Sequence, residues 1–238
     1  MNSNRKTAII VGALYIIALS SAMVRSVLLD TILDAPGYLI NLSSNESDVK
    51  IGVLLLFIMG AAIPSIAIVI YPILKKQNIG LALGYVGARI IEFVLFVITV
   101  ISVLTLFTLS EEYVKAGAPD DSYFQSLGIL LLVVRDWAWN IFWPITLGLA
   151  TLIFYYLLYQ SKLIPRWLSI WGFIGAILAL AGGVLSYFGY IRTLSTIYNL
   201  LLLQIALQEM VMALWLIIKG FDPSAIASLN KSRSDKTL

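Results

Sequence analysis

The sequence predicts an all-α integral membrane protein: a polytopic transmembrane helical bundle of six spans, with N-terminus and C-terminus both cytoplasmic. Three observations predict it. Six apolar runs are each long enough to cross about 30 Å of hydrocarbon, which takes roughly 20 helical residues. Apolar residues make up 60% of the 238 and charged residues only 12%, a surplus that a soluble core of this size could not hide. The Lys and Arg residues between the runs fall mostly on one side of the membrane.

The runs are Thr7–Leu29, Ile51–Leu74, Ile79–Leu109, Trp137–Tyr159, Trp167–Tyr190 and Thr196–Lys219, forming one transmembrane domain over 1–221. The first follows Arg5 and Lys6 and carries small residues at Ser20, Ser21 and Ala22, as a signal peptide would. Its apolar stretch exceeds a signal core, so it reads as a retained anchor. The second contains Pro64, which frees the carbonyl of Gly60 one turn earlier. The third would measure about 46 Å as a helix and must tilt or protrude. Tyr123–Val134 is apolar but too short to cross, and reads as an interfacial or re-entrant helix leading into the fourth span. In that span Pro144 frees the carbonyl of Asn140. The fifth carries Ser169, Gly172, Ala176, Ala179, Gly183 and Ser186 at spacings of three and four, a small-residue seam for close helix approach. Trp137, Trp139, Trp143, Trp167 and Trp171 read as an aromatic belt at the membrane interfaces. Residues 222–238 form a polar, basic cytoplasmic tail, expected to be mobile and near anionic headgroups.

Orientation follows from Arg5, Lys6, Lys75, Lys76, Lys162, Arg166, Lys219, Lys231, Arg233 and Lys236 on one side. The other side has only Lys50, Lys115 and Arg192, together with Asp30, Asp34, Glu46, Asp48, Glu111, Glu112, Asp120 and Asp121. The basic side is the cytoplasmic one. This placement accounts for the net charge of +3 without a nucleic-acid partner; the partner the composition demands is the lipid bilayer of a cell membrane. The chain has neither cysteine nor histidine. Disulfides, thiolate metal sites, His-ligated haem, zinc proteases and Ser-His hydrolases are thereby excluded. No cofactor and no metal site is called for.

At Tyr71–Lys76, Ala82–Glu92, Leu163–Leu178 and Gln208–Phe221 the chain resembles a bacterial family of small polytopic membrane proteins catalogued as a domain of unknown function, DUF4386. The resemblance covers nearly the whole chain. It implies six spans and a prokaryotic cytoplasmic membrane, and it brings no activity, substrate or catalytic residue. A weaker internal echo pairs Gly84–Ala88 with Gly172–Ala176, each opening a span after a basic loop; shared packing needs explain it better than duplication.

Ionisable side chains near the bilayer centre cost about 2.5–3.5 kcal/mol each on insertion scales and mark candidate sites. Arg89 and Glu92 sit three apart on the third span, and Glu209 sits in the sixth; Arg89 and Glu209 both lie roughly 15 Å in from the cytoplasmic helix ends. If these spans pack together, Arg89 bridges both carboxylates. Tyr85, Phe96 and Thr99 extend the stripe on one helix, and Gln204 and Gln208 broaden the polar arc on the other. Nearer the outer face, Asp136 and Asn140 share a helix side with Thr151 and Tyr155, while Arg25 and Arg135 read as interfacial snorkelling residues.

Two readings of the buried charges stand: a neutralising structural network, or a ligand site. The excess of one carboxylate favours the site. The candidate ligand-binding residues are therefore Tyr85, Arg89, Glu92, Gln208, Glu209, Asp136 and Asn140, with no catalytic residue assigned. The leading function is binding or transport of a small or lipid-like molecule in an intramembrane polar cavity. The alternative is a non-catalytic accessory or sensory protein with structural charges. An intramembrane enzyme with a Glu as general base ranks third, because no nucleophile-base pair is present. A protein partner or homo-oligomer is left open.

Overall fold

The computed structural model describes residues 3–119 and 123–234, with side chains to residue 231. Asp120, Asp121 and Lys236, which entered the charge asymmetry, lie outside the described residues, as do the Arg233 side chain and residues 235–238. The described residues form helices and connections, in the order α1 (Ser3–Leu33), α2 (Tyr38–Ser44), α3 (Glu46–Leu74), α4 (Ile79–Lys115), α5 (Tyr123–Ser161), α6 (Arg166–Tyr187), α7 (Thr196–Ile218) and α8 (Pro223–Ser234). All but α2 and α8 are long and apolar enough to cross a bilayer, so the chain is a multi-pass membrane protein.

Each long helix packs chiefly against the long helix before and after it, and α1 closes on α7. The six therefore form an antiparallel ring in chain order, with an interior at its axis. Lipid removes the hydrophobic drive for helix association, so close packing has to hold the ring. The seam of α6 supplies it. A Cβ on Gly183 would stand 2.7 Å from Ile145 of α5, and one on Gly175 would stand 3.1 Å from the Ile205 backbone of α7. On α5, a Cβ at Gly148 would reach to 2.9 Å from the Ala176 carbonyl. Gly84 and Gly87, the counterparts in the internal echo, have no neighbour closer than 4.0 Å, so the two motifs do not pack alike. The outward faces, such as Ile90, Ile91, Val94, Ile98 and Ile101 of α4, are exposed and apolar.

Three segments differ from the sequence expectation. Tyr123–Val134, expected as an interfacial or re-entrant helix leading into the fourth span, forms the first third of α5, continuous with that span through one turn of π-helix at Trp137–Phe142. It lies along the extended α4, where Ser102 Oγ donates to the Leu131 carbonyl at 2.6 Å. The connection between the first two spans is also largely helical, because Leu33, Leu39 and Leu42 pack with Phe107, Tyr113 and Phe124 into a small apolar core. That core uses the protruding part of α4, which at 37 residues measures about 56 Å. Finally, residues 223–234 are helix rather than mobile tail. Asp222 caps α8 by accepting from the Ser224 and Ala225 amides at 2.8 and 3.2 Å. Ala225, Ile226 and Leu229 are then buried at the end of the bundle that carries both chain termini.

At this terminal end Arg5 donates to the carbonyls of Leu216, Ile217 and Ile218 at 3.1, 2.6 and 3.1 Å, satisfying the open C-terminus of α7 and fastening it to α1.

Candidate functional site

On α4 the positions Tyr85, Arg89, Glu92, Phe96 and Thr99 repeat at three and four residues, and all are buried. The stripe faces the ring axis. Arg89 Nη1 donates to Glu92 Oε2 at 2.7 Å, with side chains 1% and 0% exposed. The other carboxylate oxygen, Oε1, accepts from Trp143 Nε1 of α5 at 2.9 Å. Glu92 is thus held on both sides.

Glu209 comes from α7, which is not a packing neighbour of α4 in the ring. The two helices meet only through long side chains that cross the axis: Arg89 Nη2 lies 3.7 Å from Glu209 Oε1, too far for a hydrogen bond. The single cluster anticipated from matched depth is present, although direct packing of the two helices is not.

Aromatic side chains wall this centre. Tyr85 stacks on Phe154 with ring centres 4.7 Å apart, and the Arg89 guanidinium lies 5.4 Å from the Tyr85 ring. Tyr155 donates to Gln208 Oε1, and Gln208 Nε2 donates to the Leu168 carbonyl at 3.1 Å, tying α5, α6 and α7 together. Gly172 makes this possible, since any Cβ there would enter the Tyr155 ring. From α1, Tyr15 brings its hydroxyl within electrostatic reach of Tyr85, Glu209, Tyr155 and Arg89.

Among the described residues, several buried polar atoms here lack a well-formed hydrogen bond: Tyr15 Oη, Tyr85 Oη, Arg89 Nε and Nη2, and Glu209 Oε1, with Tyr85 in weak reach of Arg89 and Tyr15. A buried group left without any partner costs about 1–3 kcal/mol. These atoms supply three guanidinium N–H donors on two nitrogens, one carboxylate acceptor and two hydroxyls that can play either part. This is the hydrogen-bonding complement of a small polar group.

Asp136 and Asn140 belong to a second cluster. Asn140 Nδ2 donates to Asp136 Oδ1 at 3.1 Å, and Asp136 Oδ1 also accepts from Arg135 at 2.9 Å. Arg135 further pairs with Asp30 at 3.0 Å and Asp34 at 3.3 Å, while Arg25 takes both oxygens of Asp30 at 2.9 and 2.7 Å. Arg25 and Arg135 are therefore buried ion-pair partners rather than snorkelling side chains; the helical connection after α1 brings Asp30 and Asp34 back onto them. The carbonyl of Asn140 freed by Pro144 accepts from Tyr198 Oη at 2.6 Å. Asp136 and Asn140 thus spend their polar atoms mainly on protein partners.

The clusters are joined by aromatic rings. Arg25 lies 4.3 Å from the ring centre of Trp139, which stacks on Trp143 at 4.6 Å, and Trp143 reaches Glu92. Trp139 and Trp143 are half-buried interior residues, not members of the interfacial belt. Among the described residues no group of three or more acidic side chains is arranged to hold a metal ion.

Fold and site together define a multi-pass α-helical membrane protein with a polar centre on the axis of a six-helix ring. A sequence-family profile described as a domain of unknown function (DUF4386) matches residues 10–220, and the chain belongs to that family. No curated protein and no solved structure matches it.

Proposed function

We propose that this protein binds a small polar or lipid-like molecule at the centre formed by Arg89, Glu209, Tyr85 and Tyr15, and that Glu209 exchanges a proton as it does so. The observation that carries the reading is that five buried polar atoms of Tyr15, Tyr85, Arg89 and Glu209, deep in the spans, lack a well-formed hydrogen bond. Arg89 offers its free guanidinium edge to an acceptor on the ligand. Glu92, already held by Arg89 and Trp143, keeps that edge aimed. Glu209 is the carboxylate without a hydrogen-bonded cation, so it is the one placed to carry a proton or accept from the ligand. The basic terminal end faces the cytoplasm of a cell membrane.

The test is native mass spectrometry of the protein in nanodiscs, with Arg89→Gln and Glu209→Gln beside the parent chain. A stoichiometric small molecule retained by the parent, lost from Arg89→Gln, and pH-dependent only while Glu209 is present is the expected result. Identical spectra for all three proteins across pH overturn the reading.

A second reading, an accessory membrane protein with structural charges, rests on the complete satisfaction of Glu92. It predicts a copurifying protein in place of the small molecule. Orientation is checked independently with a membrane-impermeant thiol reagent, since the native chain has no cysteine and one introduced at Lys76 reports its side alone.

A further inference from the structure

Away from the buried centre, the turn between α5 and α6 builds a basic groove against the end of α7. Ser161 closes α5, Lys162 adopts left-handed backbone with φ of +55°, and Pro165 leads into α6 at Arg166. This turn and the segment after Trp215 enclose a groove of about 390 Å³ bearing Lys162, Arg166 and Lys219. All three cations are exposed, and among the described residues none has a carboxylate within ion-pair distance.

The negative groups nearby are already engaged. Asp222 also lines the groove, but its Oδ1 is taken by the Ser224 hydroxyl and the Ser224 and Ala225 amides, which hold the carboxyl below its usual range. The carbonyls at the end of α7 are covered by Arg5. An anion in the groove meets three cations against the single ionised carboxylate of Asp222.

Arg166 also heads an apolar path. Arg166, Ile170, Phe173 and Ile174 follow one another on one face of α6. The last three line a cleft of about 300 Å³ between α5 and α6, closed by Tyr156 and Tyr159, and the Arg166 guanidinium lies 5.2 Å from the Tyr159 ring. Ser169 borders the cleft from the packed side of α6; it is fully buried, and the surface the cleft presents is apolar.

We propose that these features form one site for an anionic phospholipid. The phosphate is held by Lys162, Arg166 and Lys219, and an acyl chain lies along Ile170, Phe173 and Ile174. The apolar cleft selects a lipid phosphate over a free one; the cations select an anionic headgroup over a zwitterionic one.

The probes are phosphatidylglycerol and phosphatidylcholine in mixed nanodiscs, and inorganic phosphate alone. Native mass spectrometry should show phosphatidylglycerol retained in preference to phosphatidylcholine. Lys162→Gln, Arg166→Gln and Lys219→Gln should each weaken that retention about fivefold, the effect of one cation near a charged lipid surface. Millimolar inorganic phosphate should not displace phosphatidylglycerol. Equal retention of the two lipids, or no change in any of the three cation variants, overturns the proposal. Displacement by inorganic phosphate overturns it in favour of a free-anion site. The exposed positions of the cations leave the ring packing intact in the single variants.

Discussion

Replacing Arg89 with Met should be among the most destabilising single substitutions in the bundle, whereas Glu209→Gln, at the other end of the same contact, should cost little. The geometry sets the contrast. Arg89 is 1% exposed and makes a 2.7 Å bond to a carboxylate that is itself fully buried. Removing it leaves Glu92 with only the Trp143 N–H and brings no compensating solvent, the situation in which breaking a buried pair costs about 3–5 kcal/mol. Glu209 loses only a 3.7 Å approach on becoming Gln, and no hydrogen bond. Its cost should lie well under about 1 kcal/mol. The double substitution Arg89→Met with Glu92→Met removes both charges together and should recover most of the loss. Equilibrium unfolding in bicelles, run as a double-mutant cycle on Arg89 and Glu92, measures all of these. Should Arg89→Met and Glu209→Gln prove equally mild, or should the double substitution be additive, Arg89 and Glu92 do not form the pair that organises the centre.

Two further outcomes test the frame around the site. Tyr198→Phe removes the hydroxyl that satisfies the carbonyl freed by Pro144 and should cost about 1–2 kcal/mol in the same unfolding assay, but much less when Pro144→Ala restores the helical partner. At the terminal end, the Asp222 carboxyl is held below its usual range by the Ser224 hydroxyl and the Ala225 and Ser224 amides, so the stability it lends α8 is present above the ordinary carboxylate range and lost as pH falls through the lowered value. Protection of the Ala225–Leu229 amides, taken relative to the intrinsic exchange rate at each pH, should therefore be high at neutral pH, fall in acid, and be low at every pH in Asp222→Ala; protection indifferent to both changes would show that the cap does not hold the helix.

The number, order and approximate limits of the spans were legible because length and apolarity suffice to mark a bilayer crossing. The elements beyond the spans were less so. The helical character of residues 30–50 and 123–136 depends on Leu33, Leu39, Leu42 and Phe124 meeting the overlong α4 outside the main bundle, a tertiary contact with no local signature. The helix at 223–234 likewise needs its buried side chains to find the bundle's end. At the site, equal depth along antiparallel helices was enough to bring Arg89 and Glu209 together on paper. What the pattern could not convey was that α4 and α7 stand apart in the ring and touch only across its axis. Tyr15 and Trp143 were missed for a related reason: an aromatic residue in a membrane segment looks the same whether it faces the interface or the axis. The usable sign was Trp143 beside Pro144, six residues and roughly 9 Å further into the span than Trp137, where an interfacial belt would not place it.

The two polar clusters carry the same excess of one carboxylate over their arginines, so charge count does not distinguish their roles; satisfaction does. In the cluster nearer the far end, Asp30, Asp34 and Asp136 all lie within 2.7–3.3 Å of Arg25 or Arg135. Among the described residues, Arg25 Nε is the one fully buried atom of this cluster without a partner. Because Asp30 comes from α1 and Arg135 from α5, members of the ring that are not neighbours, these pairs tie the ring across its axis. Both helices take a π turn beside these charges, Ser26–Asp30 directly after Arg25 and Trp137–Phe142 directly after Asp136. Arg5 makes a comparable tie between α1 and α7 at the terminal end. Between the ties lies the Arg89 centre, walled by aromatic rings, where five buried polar atoms lack a well-formed hydrogen bond. A bundle fastened at both ends and unsatisfied in the middle places its unused hydrogen-bonding capacity where lipid cannot supply partners. That distribution, more than the presence of buried charge, separates the binding reading from the structural one.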